Sequence, residues 1–576
     1  MVKITDVEAK TMSGAQALVK SLKEEKVKDV FGLIGSATME VFDALYDEKS
    51  INYIGVRDER TGTHMADAYS RALGGGGLIL AGQNGPGATN LVTGLAQAKL
   101  ANSPVVAIAG SISSSHVYRD AFQEVDQQAL FTPITKKTWT VNRADRIPEM
   151  VQEAFRVSQE GKKGPVVLNI PRDVLSDIQD FGRFKSPSEY RSESYPAANH
   201  EQLSKAAELL RNANKPLIMA GAGVKWSQSQ QSVISLAETI EAPICTSAGH
   251  GDAVPNDHPL FAGQVGPRGN VVATELAKNA DVILVLGSRL GFNSTFYTYD
   301  HLNPNAKIIQ VNIDHNALSR YFPVEVGIVA SAGTVAKQLE SELKNDRVVS
   351  TERSQWVRQF KINRHNLLAQ RAEEGRATAT GSIISPKQVY HAINSVMPSD
   401  SMFTLDAGTL CLQANDALHF RQSPSLFTPL DFGLVGFSYA AGLGLKAASP
   451  DRTVVSLMGD GGFGMTMSEI GTAVQHNLNT LTVVMNNHCW GAEKAYQRDF
   501  FDERYMGADI TNPRFDKIAE LYGAKGYAVN DPSQLQSVLA DALHSVQAGH
   551  PTVVDVQVDP NALYSFRKDS FKNRSK

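Results

Sequence analysis

The chain has 576 residues, 42% of them hydrophobic and 20% charged, and its formal net charge is −4. These proportions fit a well-packed globular protein and give no reason to expect a nucleic acid or an anionic membrane as partner. No run approaches the roughly 18 apolar residues of a membrane span, and the N-terminal residues lack an apolar signal region. Because the three cysteines are widely separated, they suit a reducing compartment, so we expect a cytoplasmic protein.

The first third of the chain alternates two patterns. Short apolar runs bounded by glycine and polar residues alternate with amphipathic stretches, which predicts a mostly parallel sheet covered by helices. The predicted strands cover residues 29–34, 51–57, 78–81, 105–109 and 165–170, and the predicted helices cover 15–25, 60–73 and 88–100.

Two polar segments divide the rest of the chain. Residues 186–200 hold two prolines and read as a linker, and residues 346–384 are charged and mostly polar, which predicts a second connector. Apolar runs between and after them indicate two more α/β units. We therefore predict an α/β protein with three doubly wound, Rossmann-like domains at residues 1–185, 200–345 and 385–576.

The most informative motif lies in the third domain. Gly459-Asp460-Gly461 follows an apolar run, and after a helix-sized stretch a second apolar run ends at Asn486-Asn487. The order predicts strand, turn, helix and strand, which brings Asp460 and Asn487 to neighbouring strand ends, where open α/β sheets bind ligands. A carboxylate and an amide oxygen are hard ligands that suit Mg²⁺. Taken alone, the motif also fits a plain glycine-rich turn with strand-terminal asparagines.

The segment resembles the cofactor motif of thiamine diphosphate (ThDP) enzymes. The resemblance implies that Asp460, Asn487 and the backbone carbonyl of Cys489 bind Mg²⁺. It also implies that Gly461 and Gly462 let the diphosphate approach the backbone. Since a backbone ligand needs no particular side chain, Cys489 is not expected to be a nucleophile.

ThDP enzymes also need a carboxylate that hydrogen-bonds the cofactor's pyrimidine ring, from a different domain. Glu59 stands at the end of a predicted strand and precedes Met65-Ala66-Asp67-Ala68-Tyr69, which is similar to the family pattern. Burial should raise the pKa of Glu59, consistent with proton sharing. The alternative is an acid favoured by the helix dipole, which also accounts for Asp58.

Two turns resemble further cofactor loops of the family. In Gly433-Leu434-Val435-Gly436-Phe437, the resemblance implies that Val435 holds the cofactor bent and that the Gly433 carbonyl accepts a hydrogen bond from its amino group. In Asp406-Ala407-Gly408-Thr409, it implies that Gly408 and Thr409 contact the diphosphate. A tight turn before a helix would explain the glycines alone.

The resemblance to the decarboxylase and acetolactate synthase branch covers essentially the whole chain. It includes residues 83–87 and 120–126, where Phe122 and Gln123 are expected to wall the substrate pocket, with core packing as the alternative for Phe122. It implies pyrimidine-binding, middle and diphosphate-binding domains, and active sites between the subunits of a homodimer or homotetramer. Gly221-Ala222-Gly223 follows a predicted strand in the middle domain, so binding of FAD or ADP there stays open.

The segment after Asn487 separates the members of this branch. Trp490-Gly491-Ala492-Glu493-Lys494 is most similar to the sulfoacetaldehyde acetyltransferase family, which converts sulfoacetaldehyde and phosphate to acetyl phosphate and sulfite. Acetolactate synthases carry apolar residues at the Glu493 and Lys494 positions. A glutamate at Glu493 also resembles pyruvate decarboxylases, but those have a His-His pair where this chain has only His116.

Other functions stay open. The retained Asn486-Asn487 departs from the sulfoacetaldehyde pattern, so an acetolactate synthase-like carboligase or a 2-oxo acid decarboxylase is the alternative. A ThDP-binding protein without catalysis is disfavoured by the intact Glu59, Asp460 and Asn487.

A sulfonate and a phosphate are both anions, so cationic side chains are expected to face the pocket. Each candidate is equally explained as a surface cation or as a member of an ion pair. The candidates are Lys494, Arg498, Arg268, Arg289 and, if the C-terminal segment covers the site, Arg567 and Lys568. Glu493 is the expected side-chain acid or base, with a helix contact to Gln497 or a surface ion pair as the alternative.

Overall fold

The computed structural model describes residues 10–192, 194–344, 350–376 and 383–565. Within them the chain forms three six-stranded sheets, each flanked by helices, and one two-stranded sheet. All strand pairs in the three large sheets are parallel, which confirms the prediction of an α/β protein with three doubly wound domains. Among the described helices, none is both long and apolar enough to cross a membrane.

The N-terminal domain begins with a short strand and a capped helix. Its strands are β1 (Lys10–Ser13), β2 (Asp29–Leu33), β3 (Asn52–Gly55), β4 (Gly77–Ala81), β5 (Val105–Ser111), β6 (Lys137–Thr140), β7 (Val166–Pro171) and β8 (Ile178–Phe181). Its helices are α1 (Gly14–Glu24), α2 (Met39–Asp47), α3 (Glu59–Leu73), α4 (Pro86–Leu100), α5 (Gln127–Phe131), α6 (Ile147–Gln159) and α7 (Arg172–Ser176). The large sheet has the order β3-β2-β4-β5-β7-β6, and β1 pairs antiparallel with β8.

The middle domain buries both faces of its sheet. Its strands are β9 (Pro216–Ala220), β10 (Ile244–Thr246), β11 (Phe261–Gln264), β12 (Val282–Leu286), β13 (Lys307–Asn312) and β14 (Val326–Val329), in the order β11-β10-β9-β12-β13-β14. Its helices are α8 (His200–Asn212), α9 (Ala222–Trp226), α10 (Gln230–Ile240), α11 (Val271–Asn279), α12 (Phe292–Thr295) and α13 (Ala332–Leu343). Along β12, Leu284 joins one hydrophobic cluster and its neighbours Ile283 and Val285 join another, as expected for a sheet covered on both sides.

The C-terminal domain carries the Gly-Asp-Gly motif between two central strands. Its strands are β15 (Met402–Leu405), β16 (Leu426–Phe427), β17 (Val454–Gly459), β18 (Leu481–Asn486), β19 (Lys525–Val529) and β20 (Thr552–Gln557), in the order β16-β15-β17-β18-β20-β19. Its helices are α15 (Pro386–Val396), α16 (Thr409–Ala417), α17 (Ser438–Ala448), α18 (Asp460–Gly464), α19 (Ile470–Gln475), α20 (Gly491–Phe500), α21 (Phe515–Leu521) and α22 (Leu535–Gln547).

Two segments differ from expectation. The polar stretch predicted as a connector contains a 26-residue helix between the middle and C-terminal domains, α14 (Thr351–Arg376). The single helix expected after Asp460 is instead broken into α18 and α19. Glycine is a poor helix former, and Gly461, Gly462 and Gly464 all fall in α18, which explains why that helix ends after one turn.

Candidate active site

The parallel pairing of β17 with β18 places the metal-site candidates at one sheet edge. Gly459 is in register with Met485, so Asp460 at the start of α18 and Asn487 just after β18 leave neighbouring strands. Both side chains are buried. Strand register therefore places Asp460 and Asn487 at the same edge of the sheet.

A small cradle forms beside Asn487. A Cβ atom added to Gly491 would lie 3.2 Å from Asn487 Nδ2 and 3.5 Å from Thr409 Oγ1, so the three residues are close neighbours. Gly408, which precedes Thr409, has φ of 113°, a backbone conformation that L side chains rarely adopt. The turn expected to contact the diphosphate thus lies next to the expected metal ligand Asn487.

Asp460 is oriented by Asn512, a residue that sequence reasoning missed. Asn512 Nδ2 donates to Asp460 Oδ2 at 2.6 Å and to Asn486 Oδ1 at 3.1 Å. Asn486 in turn donates to Asp555 Oδ1 at 3.0 Å. Burial raises the pKa of Asp460, and the hydrogen bond from Asn512 opposes that shift. A buried carboxylate with a raised pKa gains stability from a nearby cation, so the site fits a hard divalent ion such as Mg²⁺.

Cys489 does not present a reactive thiolate. Its side chain is buried, and burial raises the pKa of the thiol to about 11. The thiolate is the nucleophilic form of cysteine, and this environment disfavours it. Only the backbone carbonyl of Cys489 therefore suits the metal role expected from its position.

The turn at residues 433–437, here called the wedge turn, is fixed by a buried carboxylate. Gly433 has φ of 81°, and Val435 in the middle of the turn is half-buried. Asp406, which follows β15, accepts hydrogen bonds from the backbone N–H groups of Gly436 at 2.9 Å and Phe437 at 3.0 Å. Burial raises the pKa of Asp406 to about 6, although these N–H donors oppose the shift. Asp406 thus ties the wedge turn to the strand end from which the 408–409 turn begins.

Gly461 and Gly462 are required by packing within the chain. A Cβ on Gly461 would lie 2.5 Å from the Trp490 ring, and one on Gly462 would lie 2.2 Å from Asp406 Oδ2. Neither separation is possible for real atoms, so any larger residue would displace Trp490 or Asp406. The expected role of these glycines toward the diphosphate stays a prediction beside this packing role.

Glu59 lies at the start of α3 in the N-terminal domain, in a polar pocket built by its neighbours. Its side chain is buried, and Asn90 Nδ2 on α4 donates to Glu59 Oε2 at 3.0 Å. A Cβ on Gly87 would lie 2.9 Å from Glu59 Oε1. Burial raises the pKa of Glu59, and the Asn90 hydrogen bond lowers it. The raised pKa agrees with the expected proton sharing, and Asn90 is a second residue that sequence reasoning missed.

The adjacent acidic residues have structural roles. Asp58 is the N-cap of α3, and its side chain accepts a hydrogen bond from the Arg60 N–H at 2.7 Å. This is the position expected for an acid that the helix dipole favours. Buried Glu469 accepts from the Arg57 N–H at 3.0 Å and from the Thr61 hydroxyl at 2.6 Å. These contacts fix the strand-to-helix junction that presents Glu59.

The loop carrying Phe122 and Gln123 packs against the 83–87 turn. Gln123 has φ of 62°. Its side-chain oxygen accepts a hydrogen bond from the Gln83 side chain, and its backbone carbonyl accepts one from Asn84 Nδ2 at 3.0 Å. Phe122 is 85% exposed, so the core-packing alternative is wrong within this chain. An exposed phenylalanine on an anchored loop is available to a ligand or a second subunit.

Three family models match the chain in the order of its domains. They describe the N-terminal TPP binding domain of thiamine pyrophosphate enzymes at residues 12–130, the central domain at 203–339 and the C-terminal TPP binding domain at 406–556. The chain is a thiamine diphosphate-dependent enzyme.

Named relatives of this ThDP enzyme fall into two groups. It is 32% identical to a sulfoacetaldehyde acetyltransferase of Alcaligenes xylosoxydans xylosoxydans, over 97% of this chain and 95% of the relative. It is 31% identical to a sulfoacetaldehyde acetyltransferase of Castellaniella defragrans, again over 97% and 95%. It is 30% identical to a probable acetolactate synthase large subunit of Methanococcus aeolicus, over 96% and 93%. The predicted membership of this enzyme group is confirmed.

The four described cationic candidates of the ThDP enzyme each have a polar partner. On α20, Lys494 pairs with Asp509, and Arg498 pairs with Asp499 at 2.7 Å. Arg567 and Lys568 lie outside the described residues. Glu493 is exposed in the first turn of α20, one residue before Lys494.

The other two candidates lie in the middle domain. Arg289 pairs with Asp431 at 2.7 Å, and Arg268 donates to Asn293 Oδ1 at 2.9 Å.

The glycines of the middle domain are explained by close packing of the start of α9 against the loop after β12. Gly223 follows β9 and Gly287 follows β12, and a Cβ on Gly223 would lie 2.6 Å from Gly287 Cα. The Gly223 N–H donates to the Gly287 carbonyl at 3.0 Å. This contact accounts for Gly223 without a nucleotide, so FAD or ADP binding by this ThDP enzyme stays a prediction.

Proposed function

We propose that the enzyme uses ThDP and Mg²⁺ to convert sulfoacetaldehyde and phosphate to acetyl phosphate and sulfite. One observation carries the proposal. The 490–494 run, which resembles the sulfoacetaldehyde acetyltransferase family, lies directly against the candidate cofactor turns, since Trp490 packs on Gly461 and Gly491 adjoins Asn487 and Thr409. Similarity over 97% of the chain to proteins of that name supports it.

The residues divide into three groups of roles. Asp460, Asn487 and the Cys489 carbonyl would hold Mg²⁺, and the diphosphate would lie against Gly408, Thr409, Gly461 and Gly462. Bound ThDP would supply the carbon nucleophile and the electron sink of the reaction. Val435 and the Gly433 carbonyl would hold the cofactor in its bent form, and Glu59 would hold and move a proton at its pyrimidine ring.

The substrate side is proposed to be α20 and the 122–123 loop. Glu493 is exposed at the start of α20 and would act as the side-chain acid or base. Lys494 and Arg498 carry positive charge on the same helix and would attract the sulfonate and phosphate. Phe122 and Gln123 would wall the pocket from the loop anchored at residues 83–84.

The proposed active site needs more than one subunit. Glu59 and Asp460 belong to different domains, and we propose that the pyrimidine-binding domain of one subunit meets the diphosphate-binding domain of another. The proposal requires at least a homodimer, and a tetramer satisfies it equally. We further propose that the enzyme works in the cytoplasm.

A direct assay tests the reaction. Purified enzyme is incubated with ThDP, Mg²⁺ and phosphate, and either sulfoacetaldehyde or pyruvate is added. We expect sulfite and acetyl phosphate from sulfoacetaldehyde in equal amounts, with no acetyl phosphate when phosphate is omitted and no product from Glu59→Gln. Acetolactate, acetoin or CO₂ from pyruvate, without sulfite from sulfoacetaldehyde, would contradict the proposal.

Those contrary products would support the second candidate, an acetolactate synthase-like carboligase or a 2-oxo acid decarboxylase. Two observations favour it. The chain keeps Asn486 and Asn487 together, where the resemblance to the sulfoacetaldehyde acetyltransferase family implies an altered pair. Relatives described as acetolactate synthases match it at 30–32% identity over at least 92% of their length.

A further inference from the structure

An ion pair connects the middle domain to the segment just before the wedge turn. Arg289 lies in the loop after β12, two residues past Gly287. Its guanidinium pairs with Asp431 at 2.7 Å. Asp431 stands two residues before Gly433, where the wedge turn begins. The pair therefore joins the end of a middle-domain strand to the chain that leads into Val435.

A second contact from the middle domain supports the same segment. Asn293 on α12 donates through Nδ2 to the Leu430 carbonyl at 2.9 Å, and Arg268 donates to Asn293 Oδ1 at 2.9 Å. The Gly433 N–H closes a tight turn onto the Pro429 carbonyl at 2.7 Å. Residues 429–433 are thus fixed by their own turn and by two middle-domain side chains.

The wedge turn is consequently held at both ends. Asp406 binds the backbone N–H groups of Gly436 and Phe437 on the side of the C-terminal sheet. Arg289 and Asn293 hold residues 430–431 on the side of the middle domain. Val435 lies between these anchors, so its position depends on both.

The ion pair is poorly placed to serve overall stability. The Arg289 side chain is 40% exposed and that of Asp431 is 27% exposed, and such pairs contribute little to folding because solvent screens them. The pair can still fix geometry, since the hydrogen bond from Arg289 Nη2 to Asp431 Oδ1 joins two segments that are 142 residues apart in the sequence.

We propose that Arg289 and Asp431 form an interdomain clasp that positions Val435 for the bent cofactor. The inference rests on the proposed role of Val435. It assigns the middle domain a part in cofactor geometry, and it makes Arg289 a positioning residue rather than an anion ligand. The clasp acts on the pyrimidine end of ThDP, while the diphosphate end depends on the 408–409 and 460–462 turns.

Measurements of cofactor binding to the full-length enzyme test the clasp. Arg289→Met, Asp431→Asn and the double variant are titrated with ThDP and, separately, with inorganic diphosphate, both with Mg²⁺, by calorimetry. We expect each single variant to weaken ThDP binding by about three- to tenfold, and the double variant to be no weaker than the singles, because the partners act as one unit. Affinity for inorganic diphosphate should stay unchanged, since it lacks the ring that Val435 supports.

Two controls sharpen the result. Arg320→Met removes an exposed middle-domain arginine that lies over the Tyr321 ring at 5.3 Å, and it should leave both affinities unchanged. Arg289→Lys keeps the positive charge but replaces the guanidinium by an ammonium group. It should therefore retain part of the ThDP affinity that Arg289→Met loses.

Three outcomes would overturn the clasp: unchanged ThDP affinity in the single variants, equal losses for ThDP and diphosphate, or additive losses in the double variant. Failure of the wild-type enzyme to bind ThDP would instead overturn the proposed cofactor site.

Discussion

Asn512 donates a 2.6 Å hydrogen bond to the Oδ2 atom of Asp460, the carboxylate proposed to bind Mg²⁺. Partners of this kind orient metal ligands, and their loss typically weakens metal affinity by about 10- to 100-fold. We therefore expect Asn512→Ala to weaken Mg²⁺ binding in the presence of ThDP, measured by metal titration of cofactor binding. Asn394→Ala, which removes an amide bound to Ala417 and His419, is the control. Equal metal affinity in Asn512→Ala and wild type would remove Asn512 from the site.

The Glu59–Asn90 contact predicts a shift in pH dependence. Asn90 stabilises the charged form of Glu59, so Asn90→Ala should raise the pKa of Glu59 further above its usual range. A carboxyl group with a higher pKa keeps its proton to higher pH. The acidic limb of the kcat/KM profile should therefore move to higher pH. Thr89→Ala on the same helix is the control, since its hydroxyl donates locally to the Pro86 carbonyl at 3.0 Å.

Glu59→Gln probes the proposed proton transfer itself. The amide cannot exchange a proton as a carboxyl does, so turnover should be lost while ThDP still binds, as measured by calorimetry. Normal turnover in this variant would exclude Glu59 from the reaction.

Subunit mixing tests the proposal of a shared active site. Glu59→Gln and Asp460→Ala subunits should each be inactive alone. If one subunit supplies Glu59 and another supplies Asp460, random reassembly of an equal mixture restores about a quarter of wild-type activity, because half the dimers are mixed and each has one intact site. Each variant reassembled alone is the control. Proven subunit exchange without recovered activity would place both residues of each site in one chain.

Arg353 on α14 predicts a large effect on stability. It is buried and donates to the Leu210 carbonyl at 2.8 Å, the Ala213 carbonyl at 2.9 Å and the Ile240 carbonyl at 3.1 Å, at the ends of α8 and α10. Arg353→Met leaves these carbonyls without their donor and should destabilise the middle domain by about 2–4 kcal/mol. The measurement is urea unfolding followed by intrinsic fluorescence, to which Trp356, bound to the Pro216 carbonyl of the middle domain, contributes as one of four tryptophans. Arg358→Met, on the exposed side of the same helix, should change stability by less than about 0.5 kcal/mol.

Local patterns predicted the strands and the placement of Asp460 and Asn487 at neighbouring strand ends, because both depend on short stretches of sequence. The strands expected at 78–81 and 105–109 are the observed β4 and β5, and Asp460 and Asn487 leave the neighbouring strands β17 and β18. Asn512 and Asn90 had no such signal, since each contacts its partner only after folding joins separate segments.

The helix α14 was missed for a different reason. It is polar on most of its surface and lacks the apolar stripe that marks an ordinary helix. Its attachment depends instead on a few buried residues, among them Arg353, Val357 and Phe360. Hydrogen bonds from buried arginines leave no hydrophobic periodicity in the sequence, so a helix held in this way reads as a polar connector.

The contact between Gly461 and Trp490 has an evolutionary consequence. Trp490 opens the run that resembles the sulfoacetaldehyde acetyltransferase family, and Gly461 follows Asp460, the proposed metal ligand. A Cβ atom added to Gly461 would lie 2.5 Å from the Trp490 ring, so there is no room for a methyl group between them. A mutation that enlarges Gly461 must be matched by a smaller side chain at 490, and a smaller side chain at 490 leaves a gap over the turn. Substitution of Trp490 is thereby constrained by the turn that follows Asp460, so positions 461 and 490 should change together across descendants of this enzyme.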